Sequence, residues 1–167
     1  YDQAMAFVIA GGNGEFCGQV FSIPENARPV VDAGSTDFTL PVSTPFVLTG
    51  ATSDPDGDAL THSWEEFDVP TMDHSPAPPD NGEVPFFKVF AAVLDSARTF
   101  PQISDVISGM PSLGEELPSS DQSLTFRLHT YDNYAGAGGV ADEKIKVGFF
   151  GDAGPFAVTD PNGGENW

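Results

Sequence analysis

Residues 53–68 read SDPDGDALTHSWEEFD and set Asp54, Asp56 and Asp58 on alternate positions around Pro55 and Gly57. Proline and glycine turn the backbone there, so three carboxylates crowd together where like charges repel. A positive ion in the loop would relieve that repulsion. Hard oxygen donors on a flexible, glycine-containing loop are what Ca²⁺ takes, roughly six to eight at a time. Mg²⁺ demands a stricter octahedron and keeps its waters, and Zn²⁺ is a poor match without His or Cys beside the three acids. The loop is not an EF-hand, because no glutamate stands at its twelfth position. The competing reading is a solvated turn in which each aspartate caps its own backbone.

The elements on either side decide what else reaches this loop. "ALTHSWEEF" alternates, with Leu60, His62, Trp64 and Glu66 on one face and Thr61, Ser63 and Glu65 on the other. "SLTFRLHTYD" turns Leu124, Phe126 and Leu128 one way and Thr125, Arg127 and His129 the other, while "DEKIKVGFF" sends Ile145, Val147 and Phe149 inward and Lys144 and Lys146 outward. "DFTLP", "PFVLTG" and "FFKVFAAVL" are further strand-length runs. "DVPTMDHSPAPPDNGEVP" carries five prolines and suits no packed element, and "FPQISDVISGMPSLGEELP" offers a helical turn or two around Ile103, Val106 and Ile107. The total is about seven strands with a loop-rich insertion near 69–120, the tally of an all-β, immunoglobulin-like two-sheet sandwich. In that arrangement the B–C and F–G loops share one end. Asp132 and Asn133, more than 70 positions downstream, then fall beside Asp54, Asp56 and Asp58, and Asp32 in "VVDAG" could close the cluster.

Three segments follow: an N-terminal arm at 1–25, the sandwich at 26–150 and a turn-rich linker at 151–167. The arm opens as a short helix with Asp2 as N-cap, Met5, Val8 and Ile9 on one stripe and Gly11 as the stop, although "AFVIA" fits a strand equally well. Either way, Met5, Phe7, Val8 and Ile9 form an apolar segment suited to packing on a neighbour. Cys17 is the one cysteine, either an inert thiol or half of a disulfide whose partner lies outside the chain.

The composition narrows the partners. Among 167 residues, 25 are acidic and six basic, a formal charge of −19, which repels phosphate backbones and anionic lipid heads. Nucleic acid and membrane surfaces are therefore disfavoured as partners, and divalent cations and a secreted or cell-surface setting are favoured. No apolar stretch approaches the ~18–20 residues of a membrane span. The start lacks a basic region followed by a long apolar run, so a mature chain or an internal fragment is expected. Apolar residues at 40%, with 14 phenylalanines, supply a core, and 18 glycines with 15 prolines imply many turns.

Catalytic patterns are missing. His62, His74 and His129 form no H-E-x-x-H pair, and no G-x-S-x-G elbow is present. Glu65 and Glu66 point to opposite faces of a strand, so they cannot share a substrate. "GGNG" and "GAGG" lack the lysine of a phosphate loop.

"NARPVVDAG", "DFTLPVSTPFVLTGATSDPDGDALTHSWEEFD", "ARTFPQISD", "GEELP", "LTFRLHTYDN" and "GPFAVTDPN" occur in this order across residues 26–162. Together they resemble the segment that follows the catalytic domain in bacterial secreted reprolysin-like zinc metallopeptidases. "YDQAMAFVIAGGNGEFCG" resembles the last helix of those catalytic domains and the Cys-Gly after it. The resemblance implies that Cys17 pairs with a cysteine upstream, and that the zinc centre belongs to a part this chain lacks. It implies a non-catalytic extracellular module, stabilised by calcium, that orients or docks a neighbouring domain. The alternative is a self-assembling surface or filament subunit, in which residues 1–23 act as a donor strand in another copy's sheet.

Overall fold

A computed structural model describes residues 26–34, 37–68, 85–135 and 138–157. Its strands are β1 (Val30–Asp32), β2 (Asp37–Pro41), β3 (Phe46–Thr49), β4 (Ala51–Ser53), β5 (Leu60–Glu66), β6 (Ala97–Phe100), β7 (Gln122–Asp132) and β8 (Val140–Phe150), with a short helix α1 (Ile103–Ser108) before β7. A four-stranded sheet runs β2-β8-β7-β5, with β2 parallel to β8 and the other pairs antiparallel. β3 and β4 are successive halves of one run broken at Gly50; the first half pairs with β6 and the second with β1. The described chain is thus predominantly β, consistent with an all-β sandwich.

Period-two patterning builds the core between the layers. Leu124, Phe126 and Leu128 of β7 are buried, as are Ile145, Val147 and Phe149 of β8, Trp64 of β5, and Phe46 and Leu48 of β3. The expected inward faces of β5, β7 and β8 are the observed ones. Phenylalanine dominates the centre: Phe46 stacks on Phe100 at 5.0 Å between ring centroids, and Phe100 meets Phe126 edge-on at 4.9 Å. Each fully buried ring is worth about 1.5–3 kcal/mol of transfer free energy, with more from such ring geometries.

Two expectations about the stretch 69–120 need correction. β6 lies inside it and pairs with β3, and Phe100 is wholly buried, so this part belongs to the sandwich rather than to a decoration. "FFKVFAAVL" forms no strand; its β-type pairing is limited to two isolated bridges, Phe87 to Glu115 and Val93 to His62. Two consecutive backbone N–H groups, those of Phe86 and Phe87, go to the Glu66 carboxylate instead of to a neighbouring strand. α1 falls where the helical turn was expected, and none of its residues is buried.

Candidate metal centre

The loop between β4 and β5 is shaped by its own aspartates. Asp54 Oδ1 accepts the backbone N–H groups of Asp56 at 2.9 Å and Asp58 at 3.1 Å, and its carbonyl accepts that of Gly57 at 3.3 Å. Gly57 sits at φ +84°, a conformation that other residues adopt only with strain. This turn draws Asp54, Asp56 and Asp58 together so that one oxygen from each lies within 4.8 Å of the others. Burial, then the charges of Asp54, Asp132 and Asp56, pushes the Asp58 carboxyl above its usual range.

The far end of β7 reaches the same pole. Leu60 pairs with Asp132, and just beyond them the Asn133 backbone and side chain both donate to the Ala59 carbonyl, at 3.0 and 2.7 Å. Asp132 is buried. Its carboxylate accepts Tyr134 N–H at 3.0 Å, Gly139 N–H at 2.7 Å and the Asn26 amide at 3.0 Å. Burial opposes its charge, but these bonds outweigh it and hold the carboxyl below the usual range. Glycine is needed for the closeness: a Cβ on Gly139 would stand 2.6 Å from Asp132 Oδ2. The leading segment completes the pole, since Ala27 N–H donates to Asp56 Oδ2 at 2.5 Å.

The donors are all oxygen, as a hard cation requires. Asp54 Oδ2 is buried without a hydrogen-bond partner, which leaves an acceptor for a cation to satisfy. The residues present therefore fit Ca²⁺ better than Zn²⁺. Asp54, Asp56 and Asp58 converge as expected, with Asp132 and Asn133 beside them. Asp32 stands apart: the β1–β4 register sets it opposite Ala51 rather than at the loop, and its carboxylate accepts the Gly34 N–H at 2.8 Å. Met5, Phe7, Val8, Ile9 and Cys17 lie outside the described residues.

Sequence reasoning missed Asn26, and it missed a second polar cluster far from the acidic loop. Glu66, at the other end of β5, accepts from Phe86 and Phe87, while Arg98 reaches Trp64, Lys88 and the fully buried Glu115. One signal was available: Glu66 shares the inward face of its strand with Trp64. On the outer face, Glu65 accepts from Arg127 and lies 3.1 Å from His129 Nε2. Among the described residues, no helix is long and apolar enough to cross a membrane.

No protein-family model, curated protein or solved structure matches the chain.

Proposed function

We infer that the chain is a non-catalytic, calcium-stabilised extracellular module with an immunoglobulin-like strand arrangement, which orients or docks a neighbouring domain of a secreted metallopeptidase-like protein. The sheet order β2-β8-β7-β5, opposed by β3 with β6 and β4 with β1, supports that arrangement. One observation carries the functional reading. Asp54, Asp56 and Asp58 converge within reach of the Asp132 charge, at the pole where Asn26 and Ala27 dock by hydrogen bonds. A cation bound there neutralises the cluster and fixes the path of the leading segment, and with it the angle to whatever precedes residue 26. The parent peptidase comes from the resemblance across residues 26–162, and the secreted setting from the −19 charge as well.

Calcium titrated calorimetrically into the chelator-stripped chain tests this, with magnesium and zinc as comparators. Saturation at about 100 times the dissociation constant stabilises by ~2.7 kcal/mol, so the melting temperature rises with calcium and falls with chelator. Asp54→Asn with Asp58→Asn removes the heat. No heat, together with an unchanged melt, would sink the reading. A solution mass of one chain separates it from the self-assembling alternative, in which the mass exceeds one chain and falls when residues 1–23 are removed.

A further inference from the structure

Glu66 ends β5 at the pole away from the aspartate loop, on the inward side of the sheet. Its Oε2 accepts two consecutive backbone N–H groups, Phe86 at 2.7 Å and Phe87 at 2.9 Å, while its buried Oε1 has no hydrogen-bond partner. These bonds seat both rings. Phe87 packs edge-on against Phe100 at 5.1 Å and Phe46 at 5.9 Å. The charged groups around this carboxyl come from four elements. Asp68 lies just past β5, and Lys88 follows Phe87 and donates to the Leu113 carbonyl. Arg98 projects from β6, with its guanidinium committed at 2.7 Å to the fourth group, Glu115 of the loop after α1. Glu66 is therefore a buried acid whose nearby cation spends both terminal nitrogens on Trp64, Lys88 and Glu115 and keeps only a buried Nε unpaired, and it holds the one stretch of "FFKVFAAVL" that enters the core.

We propose that Glu66 is a proton-controlled clasp: protonated, it keeps Phe86 and Phe87 seated, and loss of its proton raises how often segment 85–88 leaves the core. Burial pushes its carboxyl up to about 7 from an ordinary 4.5; the two backbone hydrogen bonds and Arg98 pull it down, and Asp68 pushes it up. The closed form thus binds its proton more tightly than the opened form, in which water solvates the carboxylate. Closure is fully favoured below 4.5 and weakens as pH rises towards 7. Between pH 5 and pH 8 these two values give a roughly 70-fold rise in opening.

Amide hydrogen exchange at Phe86 and Phe87 in the full chain, corrected for the intrinsic pH dependence of exchange, reads the opening directly. The expected result is that rise between pH 5 and pH 8, with both amides opening more readily than Phe126 and Leu128 in β7. Glu66→Gln keeps an acceptor for the two N–H groups and removes the charge, so its profile is flat. Opening that does not change with pH, or that keeps its pH dependence in Glu66→Gln, overturns the clasp. So does exchange at Phe86 and Phe87 that matches the β7 amides at every pH. Should Glu66→Gln not fold, the carboxyl carbon shift of Glu66 in the unmodified chain decides: a midpoint near 7 supports the proposal, and one near 4.5 overturns it.

Discussion

The side-chain amide of Asn26 donates to the carboxylate of Asp132 at 3.0 Å, tying together residues 106 positions apart. Through this bond the chain ahead of β1 is held to the turn after β7, so the same pole both receives the leading segment and collects the acids. Asn26→Ala removes one of three donors to a buried carboxylate. A hydrogen bond to a charged group is worth roughly 1.5–3 kcal/mol, and that loss is expected in urea denaturation with chelator present. Calcium binding should weaken in the same variant if the segment and the ion share the pole. An unchanged midpoint would show that Tyr134 and Gly139 satisfy Asp132 alone.

On the outer face of the sheet, Glu65 contributes to the acid limb of stability. Burial raises its carboxyl, but bonds from His129 and Arg127 outweigh this and hold it below its ordinary 4.5. A folded value below the unfolded one gives stability that is complete above 4.5 and lost as pH falls through the lower folded value. The urea midpoint of the unmodified chain is expected to drop between pH 5 and pH 3 by more than that of Glu65→Gln. Equal drops would place the acid sensitivity elsewhere.

Gly50 allows β3 to pass into β4 directly against the core. A Cβ there would lie 2.1 Å from Leu128 Cδ2 and 3.2 Å from the Asp32 carbonyl oxygen. Leu128 is fully buried, so its neighbours limit any retreat. Gly50→Ala is expected to cost about 1–3 kcal/mol by overpacking. Adding Leu128→Val should recover part of that loss, a sign of direct contact that a double-mutant cycle reads. Purely additive losses would mean that strain against the Asp32 backbone dominates.

The sheet was legible in the chain wherever one face is buried and the other wet. Leu124, Phe126 and Leu128 alternate with polar neighbours, so their strand and its inward face follow from period two alone. Asp132 could be set beside the aspartate loop for a different reason, the expectation that the B–C and F–G loops of an immunoglobulin-like sandwich share one end. Asn26 could not, because a single asparagine ahead of Ala27, Arg28 and Pro29 has no periodicity to orient it. "ARTF" is four residues stopped by a proline, too short to stand out as β6 inside an irregular stretch. The run from Phe86 to Leu94 has the hydrophobicity of a strand, yet its backbone follows Glu66, a carboxylate some 20 positions back. Hydrophobic pattern reports faces; it is silent on polar groups that recruit backbone from a distance.

Arg98 and Glu115 make the strongest case of that kind. The guanidinium bridges β5 and the loop chain by donating to the Trp64 and Lys88 carbonyls, and it meets Glu115 at 2.7 Å. Glu115 also accepts the Gln102 N–H at 2.9 Å, so its carboxylate is satisfied although it has no exposure. Burial lowers the proton affinity of Arg98 and raises that of Glu115, and each partner's charge opposes the shift in the other. Arg98→Met leaves Glu115 buried with its charge uncompensated, and is expected to cost about 3–5 kcal/mol. Replacing both, as Arg98→Met with Glu115→Leu, removes the stranded charge and should cost less than Arg98→Met alone. The Trp64 and Lys88 carbonyls still lose their donor, so recovery stays incomplete. Denaturant midpoints of the two single variants and the double variant measure the coupling directly. If the double variant is as unstable as the sum of the singles, the pair acts through those carbonyls and not through its charges.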